Sequence, residues 1–226
     1  MKIESLDHVA LWVADRDTLA EFLTEHVGMH VIERTDNFTI VGADARRGKL
    51  TLFAAEGTRQ PGALARIVLR VRNLELALAD LPADLQVARP RPDLAEFTGP
   101  EELGLGLVQV EGVDYDLDHV VLGARDPDAA FSELAELGFV AEDGRLRVGD
   151  AHLELVEADP DDGGRPLLNH LGLRVGSTTD HIVEARRRGL EIADIIDAAN
   201  TYALFVWGPE RIKLEYVEHK ASFSLV

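Results

Sequence analysis

The sequence predicts an α+β protein built from four tandem βαβββ units, and three observations support this fold class. The first is a short apolar segment that recurs four times. The second is a helix-capping residue at a constant distance after each copy. The third is a run of short β-type segments after each predicted helix, as in RTDNFTIVGADARRGKLTLFAA. Internal repeats of this length indicate one supersecondary unit per copy.

The recurring segment has a histidine at its centre in three copies and an arginine in the other. In chain order the copies are LDHVAL around His8, LARIVL around Arg66, LDHVVL around His119 and LNHLGL around His170. Each is short, largely apolar and bounded by polar residues. This pattern predicts the first strand of each unit.

A residue type that favours helix N-termini stands seven positions after each of these centres. The four residues are Asp15, Asn73, Asp126 and Ser177. Their side-chain oxygens accept hydrogen bonds from the unpaired amides of a first helical turn. The spacing therefore predicts four helices in register with the repeat.

Composition limits the kinds of partner and the kinds of chemistry. The 226 residues include 41 acidic and 23 basic side chains, for a formal net charge of −18. Such a charge repels nucleic acids and anionic membranes, so neither is an expected partner. No apolar stretch is long enough to cross a bilayer and the start lacks a signal-peptide core, so we expect a cytoplasmic protein. With no cysteine, any metal must be bound by nitrogen and oxygen.

Four βαβββ units in tandem resemble the vicinal oxygen chelate superfamily, which includes glyoxalase I, bleomycin-resistance proteins and extradiol dioxygenases. The resemblance covers nearly the whole chain. It implies two curved half-barrel lobes, each made from two units, with a metal and a small substrate on a concave face. We expect residues 1–112 to form an N-terminal pair that serves as a scaffold. Residues 113–226 are expected to form a C-terminal pair that holds the metal.

The resemblance also implies a ligand set, because family ligands lie on the first and last strands of paired units. The matching residues are His119, Glu154, His170 and Glu215. The stretch FVWGPERIKLEYVE is similar to the end of glyoxalase I, where a turn leads into a strand reading lysine, aliphatic, glutamate. Imidazole and carboxylate ligands suit one divalent ion, and Fe, Ni, Co, Zn and Mn all fit this ligand set. The sequence does not choose among these metals.

The N-terminal half departs from the family pattern. His8 is retained, but the aligned positions are Thr51, Arg66 and approximately Val108. One imidazole beside an arginine does not bind a divalent cation. We therefore expect His8 to have no role as a metal ligand.

Two enzymatic functions follow from the resemblance. The first is a glyoxalase I-like or epimerase-like proton transfer, in which the metal binds two adjacent substrate oxygens and Glu154 or Glu215 moves the proton. The second is Fe(II)-dependent extradiol cleavage of catechols. Four protein ligands leave too few open positions for that reaction. In addition, Phe205 stands where the dioxygenase signature has a tyrosine.

A third function belongs to another class, a non-catalytic protein that sequesters a small molecule, such as a drug, in the same cavity. Retention of the four ligand-type residues argues against it. All three interpretations share a small-molecule partner, and none identifies it. Fused units allow a complete site within one chain, which permits a homodimer without requiring one.

Overall fold

The computed structural model describes residues 1–112, 114–161 and 163–223. Val113, Asp162 and residues 224–226 lie outside the described residues. The four predicted βαβββ units are present. Unit one contains β1 (Ser5–Val13), α1 (Arg16–Phe22), β2 (His30–Arg34), β3 (Phe38–Gly42) and β4 (Lys49–Ala54). Unit two contains β5 (Leu64–Val71), α2 (Leu74–Ala79), β6 (Ala88–Arg91), β7 (Leu94–Thr98) and β8 (Gly104–Gln109).

The second half of the chain repeats this order. Unit three contains β9 (Leu117–Ala124), α3 (Pro127–Glu136), β10 (Val140–Glu142), β11 (Arg145–Val148) and β12 (Ala151–Glu157). Unit four contains β13 (Leu168–Arg174), α4 (Thr178–Arg188), β14 (Ile192–Asp197), β15 (Thr201–Trp207) and β16 (Lys213–His219). No helix among the described residues is long and apolar enough to cross a membrane.

The predicted caps begin the four helices. In each unit the capping side chain accepts a hydrogen bond from the backbone N–H three residues later. The caps are Asp15, Asn73, Asp126 and Ser177. Each cap lies two or three residues after the end of the first strand of its unit, so the helix starts at nearly the same point in every copy. This confirms the register that the repeat predicts.

The sixteen strands form two open eight-stranded sheets, and the pairing of units differs from our expectation. The first sheet has the order β14-β15-β16-β13-β1-β4-β3-β2, so unit four pairs with unit one. The second has the order β10-β11-β12-β9-β5-β8-β7-β6, so unit three pairs with unit two. The expected division into 1–112 and 113–226 therefore does not separate the two sheets. The reason is that β1 forms its antiparallel ladder with β13 and β5 forms its ladder with β9.

The core is continuous across the two sheets. Buried residues from all four units belong to one cluster, which includes Leu11, Leu69, Leu122 and Leu214. Tyr216 on the first sheet is fully buried, and its hydroxyl donates a hydrogen bond to the carbonyl of Leu137 at the end of α3. The helices and the buried faces of both sheets thus hold the two lobes together. The opposite, concave faces remain available for a site.

Two short turns also join the lobes. Glu101, in the turn before β8, accepts hydrogen bonds from the backbone N–H groups of Ala14 and Asp15 at the start of α1. Glu210, in the turn before β16, does the same for the backbone N–H of Arg125 and also pairs with its guanidinium. Each carboxylate therefore satisfies amides at a helix start that belongs to the other sheet.

Removing one of these carboxylates should destabilise the fold without affecting the site. We expect Glu101→Ala to lower the free energy of unfolding by about 1–3 kcal/mol, because two backbone N–H groups lose a charged acceptor. Urea unfolding followed by circular dichroism measures this. Glu102→Ala is the matched control, since Glu102 is exposed and has a similar positive φ. Equal effects of the two substitutions would contradict the role given to Glu101.

Candidate metal centre

Three adjacent strands at the centre of the first sheet bring together His8, His170 and Glu215. In the ladder between β1 and β13, His8 lies opposite Gly172 and Ala10 lies opposite His170. In the parallel ladder between β13 and β16, Gly172 pairs with Glu215. Alternate residues of a strand share a face, so these registers direct all three side chains to the concave face. We call them the triad.

The metal-binding atoms of the triad converge on one point. His8 Nε2 lies 2.9 Å from His170 Nε2 and 3.1 Å from Glu215 Oε2. His170 Nε2 lies 3.0 Å from Glu215 Oε2. His170 and Glu215 are buried, and His8 is nearly so. One ligand atom from each of the three side chains could therefore contact the same ion.

The spacing of these atoms fits one triangular face of an octahedron. Ligands at about 2.1 Å from an ion, and adjacent to each other in an octahedron, are about 3.0 Å apart. The three separations in the triad all lie close to this value. Moreover, Glu215 Oε2 is a buried oxygen to which no group among the described residues donates a well-aligned hydrogen bond. A divalent cation would satisfy it, so the residues present fit a metal.

The other ring nitrogen of each histidine has a fixed partner. His8 Nδ1 donates to Asp7 Oδ2 over 2.8 Å, and His170 Nδ1 donates to Asn169 Oδ1 over 3.1 Å. Because Asp7 and Asn169 accept the proton on Nδ1, the lone pair of each ring is left on Nε2, where a metal requires it. The sequence therefore supplies each ligand histidine with its orienting partner from the preceding position.

Asp7 is the centre of a buried ionic network behind His8. Its carboxylate also contacts Lys49 Nζ at 2.8 Å and His219 Nε2 at 3.0 Å. Burial would raise the pKa of Asp7, but hydrogen bonds with His219 and His8 and the charge of Lys49 hold the pKa well below its usual range. Asp7 is therefore ionised, and it holds the His8 ring in a fixed position.

The charges of the triad are strongly coupled in the metal-free protein. Burial favours neutral His8, but Asp7 and Glu215 outweigh burial and raise the pKa of His8 to about 9. Burial would raise the pKa of Glu215, yet the two imidazoles hold that pKa far below its usual value. Burial lowers the pKa of His170, and the positive charges of His8 and Lys213 add to the lowering. Glu215 is thus ionised, as a metal ligand must be.

Removal of the carboxylate behind His8 should weaken metal binding without removing a ligand. We expect Asp7→Asn to reduce the affinity for a divalent ion by about 10–100-fold, the usual effect of losing a partner that orients a ligand. Competition of the apoprotein with a metal chromophore measures the affinity. Asp118→Asn in the second sheet is the matched control, because Asp118 holds His119 in the same way. A loss in the control as large as that of Asp7→Asn would refute the assignment.

Aromatic side chains surround the triad on the concave face. The ring of Phe205 lies edge-on to His170 at 5.2 Å between centroids, and that of Phe53 lies 6.4 Å away. Phe53 in turn contacts Trp12 at 5.4 Å. Thr51, on the last strand of unit one, pairs with Ala10 and takes the position that Glu215 has in unit four. The protein therefore offers three ligands and an apolar surrounding wall.

The second sheet holds the other two predicted ligands in a different arrangement. The ring of His119 stacks on that of His152 at 4.7 Å, and its Nδ1 contacts Asp118. Glu154 contacts His152 at 3.2 Å and Arg145 at 3.1 Å, and about a third of its side chain is exposed. Asp118, His119 and His152 have ligand atoms within 4.8 Å of one another, but Glu154 is not part of that group.

The structure therefore corrects the predicted four-ligand site. His170 and Glu215 lie together, but His119 and Glu154 lie on the other sheet, and His8 takes the place assigned to His119. The prediction that His8 has no ligand role rested on pairing unit one with unit two, and that pairing is wrong. The residue of unit two that is equivalent to Glu215 was also misplaced. Glu215 pairs with the residue two positions after His170, and the residue two positions after Arg66 is Val68, which pairs with Gly106. Val108, the predicted equivalent, pairs with Arg70 instead.

One signal in the sequence marked His8 as equivalent to His119 and His170. In all three histidine-containing copies, the residue before the histidine is an Asp or Asn, namely Asp7, Asp118 and Asn169. Each of these contacts Nδ1 of the following histidine. His8 thus carries the same local arrangement as the other two. Lys49 and His219 had no such signal, because their contact with Asp7 depends on strands distant in sequence.

Comparison with known proteins agrees with this fold. Residues 5–165 match the family model described as Glyoxalase/Bleomycin resistance protein/Dioxygenase superfamily. The match spans more than half of the chain, which therefore belongs to this superfamily of the vicinal oxygen chelate type. No curated protein sequence matches the chain.

Solved structures share the architecture at low sequence identity. A "putative dioxygenase" from Bacillus subtilis has a TM-score of 0.80 at 15% identity, with 98% of this chain and 87% of that one covered. Glyoxalase I from Zea mays has a TM-score of 0.74 at 15% identity, with 95% and 92% covered. The cppA protein from Streptococcus pneumoniae has a TM-score of 0.67 at 14% identity, with 96% and 98% covered. At these identities the likeness establishes the fold alone.

Proposed function

We propose that the chain is a metalloenzyme that opens catechol-type rings, with Fe(II) bound by His8, His170 and Glu215. The observation that carries this proposal is the number of ligands. Two histidines and one carboxylate on one face of an octahedron are the ligand set typical of non-haem Fe(II) oxygenases. Bound there, Fe(II) would supply the three open positions that two vicinal substrate oxygens and dioxygen together require.

The surrounding residues support a small, flat, apolar substrate. Phe53 and Phe205 lie on either side of His170, and Trp12 extends the same wall. Such a wall excludes water and positions an aromatic ring by contact with its faces and edges. Phe205 takes the place of the signature tyrosine, so it acts on the substrate by packing and not by proton transfer.

The glyoxalase I-like alternative has weaker support. In that chemistry a second carboxylate moves a proton between substrate carbons, and we assigned that role to Glu154 or Glu215. Glu154 lies on the other sheet, and the position equivalent to Glu215 in unit one is Thr51, which has no carboxylate. Glu215 is the only carboxylate of the triad, and it is needed as a ligand. A sequestering function, in turn, leaves the convergence of three ligands unexplained.

The proposal is tested by oxygen consumption. The apoprotein is reconstituted with Fe(II) without air and mixed with catechol, 4-methylcatechol and 3,4-dihydroxybenzoate in an oxygen electrode cell. We expect uptake together with a new absorption band of the ring-opened product. Glu215→Gln should abolish both signals, and Glu154→Gln should preserve them. Silence with Fe(II), combined with isomerisation of a hemithioacetal by the Ni(II) or Co(II) form, would replace the proposal with proton transfer.

A further inference from the structure

Lys213 lies on the concave face next to the triad, and its positive charge has no partner among the residues that the structure describes. It lies on β16 two residues before Glu215, so both side chains project from the same face, with α-carbons about 7 Å apart. Its Nζ stands 5.3 Å from the centre of the Trp207 ring, which lies opposite it on β15. The side chain is half-buried.

The lack of an acidic partner is unusual in a chain of net charge −18. The neighbouring cations are paired, Lys49 with Asp7 and Arg211 with Glu191. For Lys213, no carboxylate within the described parts of the chain comes within ion-pairing distance. A half-buried ammonium without a counter-ion is costly, and an anion that binds beside it is stabilised.

A cavity of about 130 Å³ adjoins this ammonium. Its walls include Trp12, Leu168, Trp207, Arg211 and Lys213. Trp12 follows His8 on β1, whereas Leu168 precedes His170 on β13 and Lys213 precedes Glu215 on β16. Because β1 is antiparallel to β13 and β13 is parallel to β16, all three displacements run the same way along the sheet. The cavity therefore lies beside the triad, displaced toward one end of the three strands.

The walls of the cavity suit an aromatic body that ends in an anion. Trp12 and Trp207 provide flat indole surfaces, and Arg211 stacks on Trp207 at 4.1 Å while Glu191 holds its guanidinium. Trp207 is therefore held in place beside Lys213. The volume of about 130 Å³ accommodates a group the size of a carboxylate.

We propose that Lys213 binds a carboxylate on the substrate, so that the substrate class is an aromatic acid with two vicinal oxygens. This inference rests on the proposed function in one respect only, namely that the substrate chelates an ion on the triad. It adds that Lys213 recognises the negative charge of the substrate at the end of the ring away from the triad, and that Lys213 thereby determines the specificity for acids.

Binding of two catechols that differ in charge tests the inference. The Ni(II)-loaded protein, which does not turn over with dioxygen, is titrated with 3,4-dihydroxybenzoate and with 4-methylcatechol by calorimetry. We expect Lys213→Met to weaken binding of the carboxylate probe by about tenfold and to change binding of the neutral probe less than about twofold. Lys213→Arg should retain most of the preference. Lys220→Met, which removes a lysine paired with Asp197, is the control.

The outcomes separate this inference from the proposed function. Equal effects of Lys213→Met on the two probes would overturn it, as would unchanged binding of the carboxylate probe or no saturable binding of either probe. Selective binding that depends on Lys213, in an Fe(II) form that consumes no oxygen, would refute ring cleavage and leave the inference standing. Oxygen consumption that is indifferent to probe charge and to Lys213 would refute the inference alone.

Discussion

His8→Ala should abolish tight metal binding, although the sequence alone assigned His8 no such role. The substitution removes one of three ligands whose donor atoms lie about 3 Å apart, and we expect the affinity for Fe(II), Ni(II) or Co(II) to fall by about 100-fold or more. Elemental analysis of the purified protein and competition with a metal chromophore measure this loss. His170→Ala should behave in the same way.

The matched control for this prediction lies in the second sheet. His119→Ala removes the histidine of the same repeated segment, with the same Asp before it, but outside the triad. We expect its metal content to equal that of the wild-type protein. Loss of metal in His119→Ala together with retention in His8→Ala would place the metal in the second sheet and would refute the triad.

Gly172→Ala should have nearly the same effect on metal binding, although it removes no ligand. A β-carbon built on Gly172 lies 2.3 Å from Cε1 and Nδ1 of His8, far inside contact distance. The backbone of Gly172 does not require a positive φ, so the obstacle is the ring alone. Because Asp7 fixes the same ring through Nδ1, the ring cannot move away without losing this contact, and the extra methyl group displaces the Nε2 ligand atom. We expect an affinity loss of about 100-fold and a stability loss of about 1–3 kcal/mol.

The predicted loss of stability can be checked by combining Gly172→Ala with His8→Ala. In the His8→Ala background the imidazole is absent, so Gly172→Ala should then cost little stability. Gly208→Ala is the control, because the nearest atoms to its added β-carbon lie at 3.5 Å, an ordinary contact distance. Urea unfolding of the two single variants and the double variant measures the coupling. Additive stability losses would show that the methyl group clashes with something other than His8.

Local features of the fold were predictable because they depend on neighbouring residues. The four caps act within three residues of themselves, and the first strands follow from their own apolar pattern. The candidate ligands His170 and Glu215 could also be predicted, since both lie in segments similar to known family patterns. Alternation along the last strand also explains why Glu215 lies on the concave face while Leu214 and Tyr216 are buried in the core.

The pairing of units was not predictable from such patterns. Every first strand carries nearly the same segment, so β13 is as suitable a partner for β9 as for β1 on local grounds. The choice depends on packing between helices and sheets distributed over the chain, including the turns at Glu101 and Glu210. An incorrect choice of partner moved His8 out of the site and brought His119 into it. The error therefore came from one long-range assignment and not from the residues themselves.

The order of the strands makes the sheet of units two and three an insertion within the sheet of units one and four. The inner sheet contains only segments close in sequence, whereas the outer one joins the two ends of the chain, with His8 and His170 separated by 162 positions. Contacts between distant segments form slowly. Because β13 and β16 are synthesised after every strand of the inner sheet, His8 can meet His170 and Glu215 only once unit four has been made.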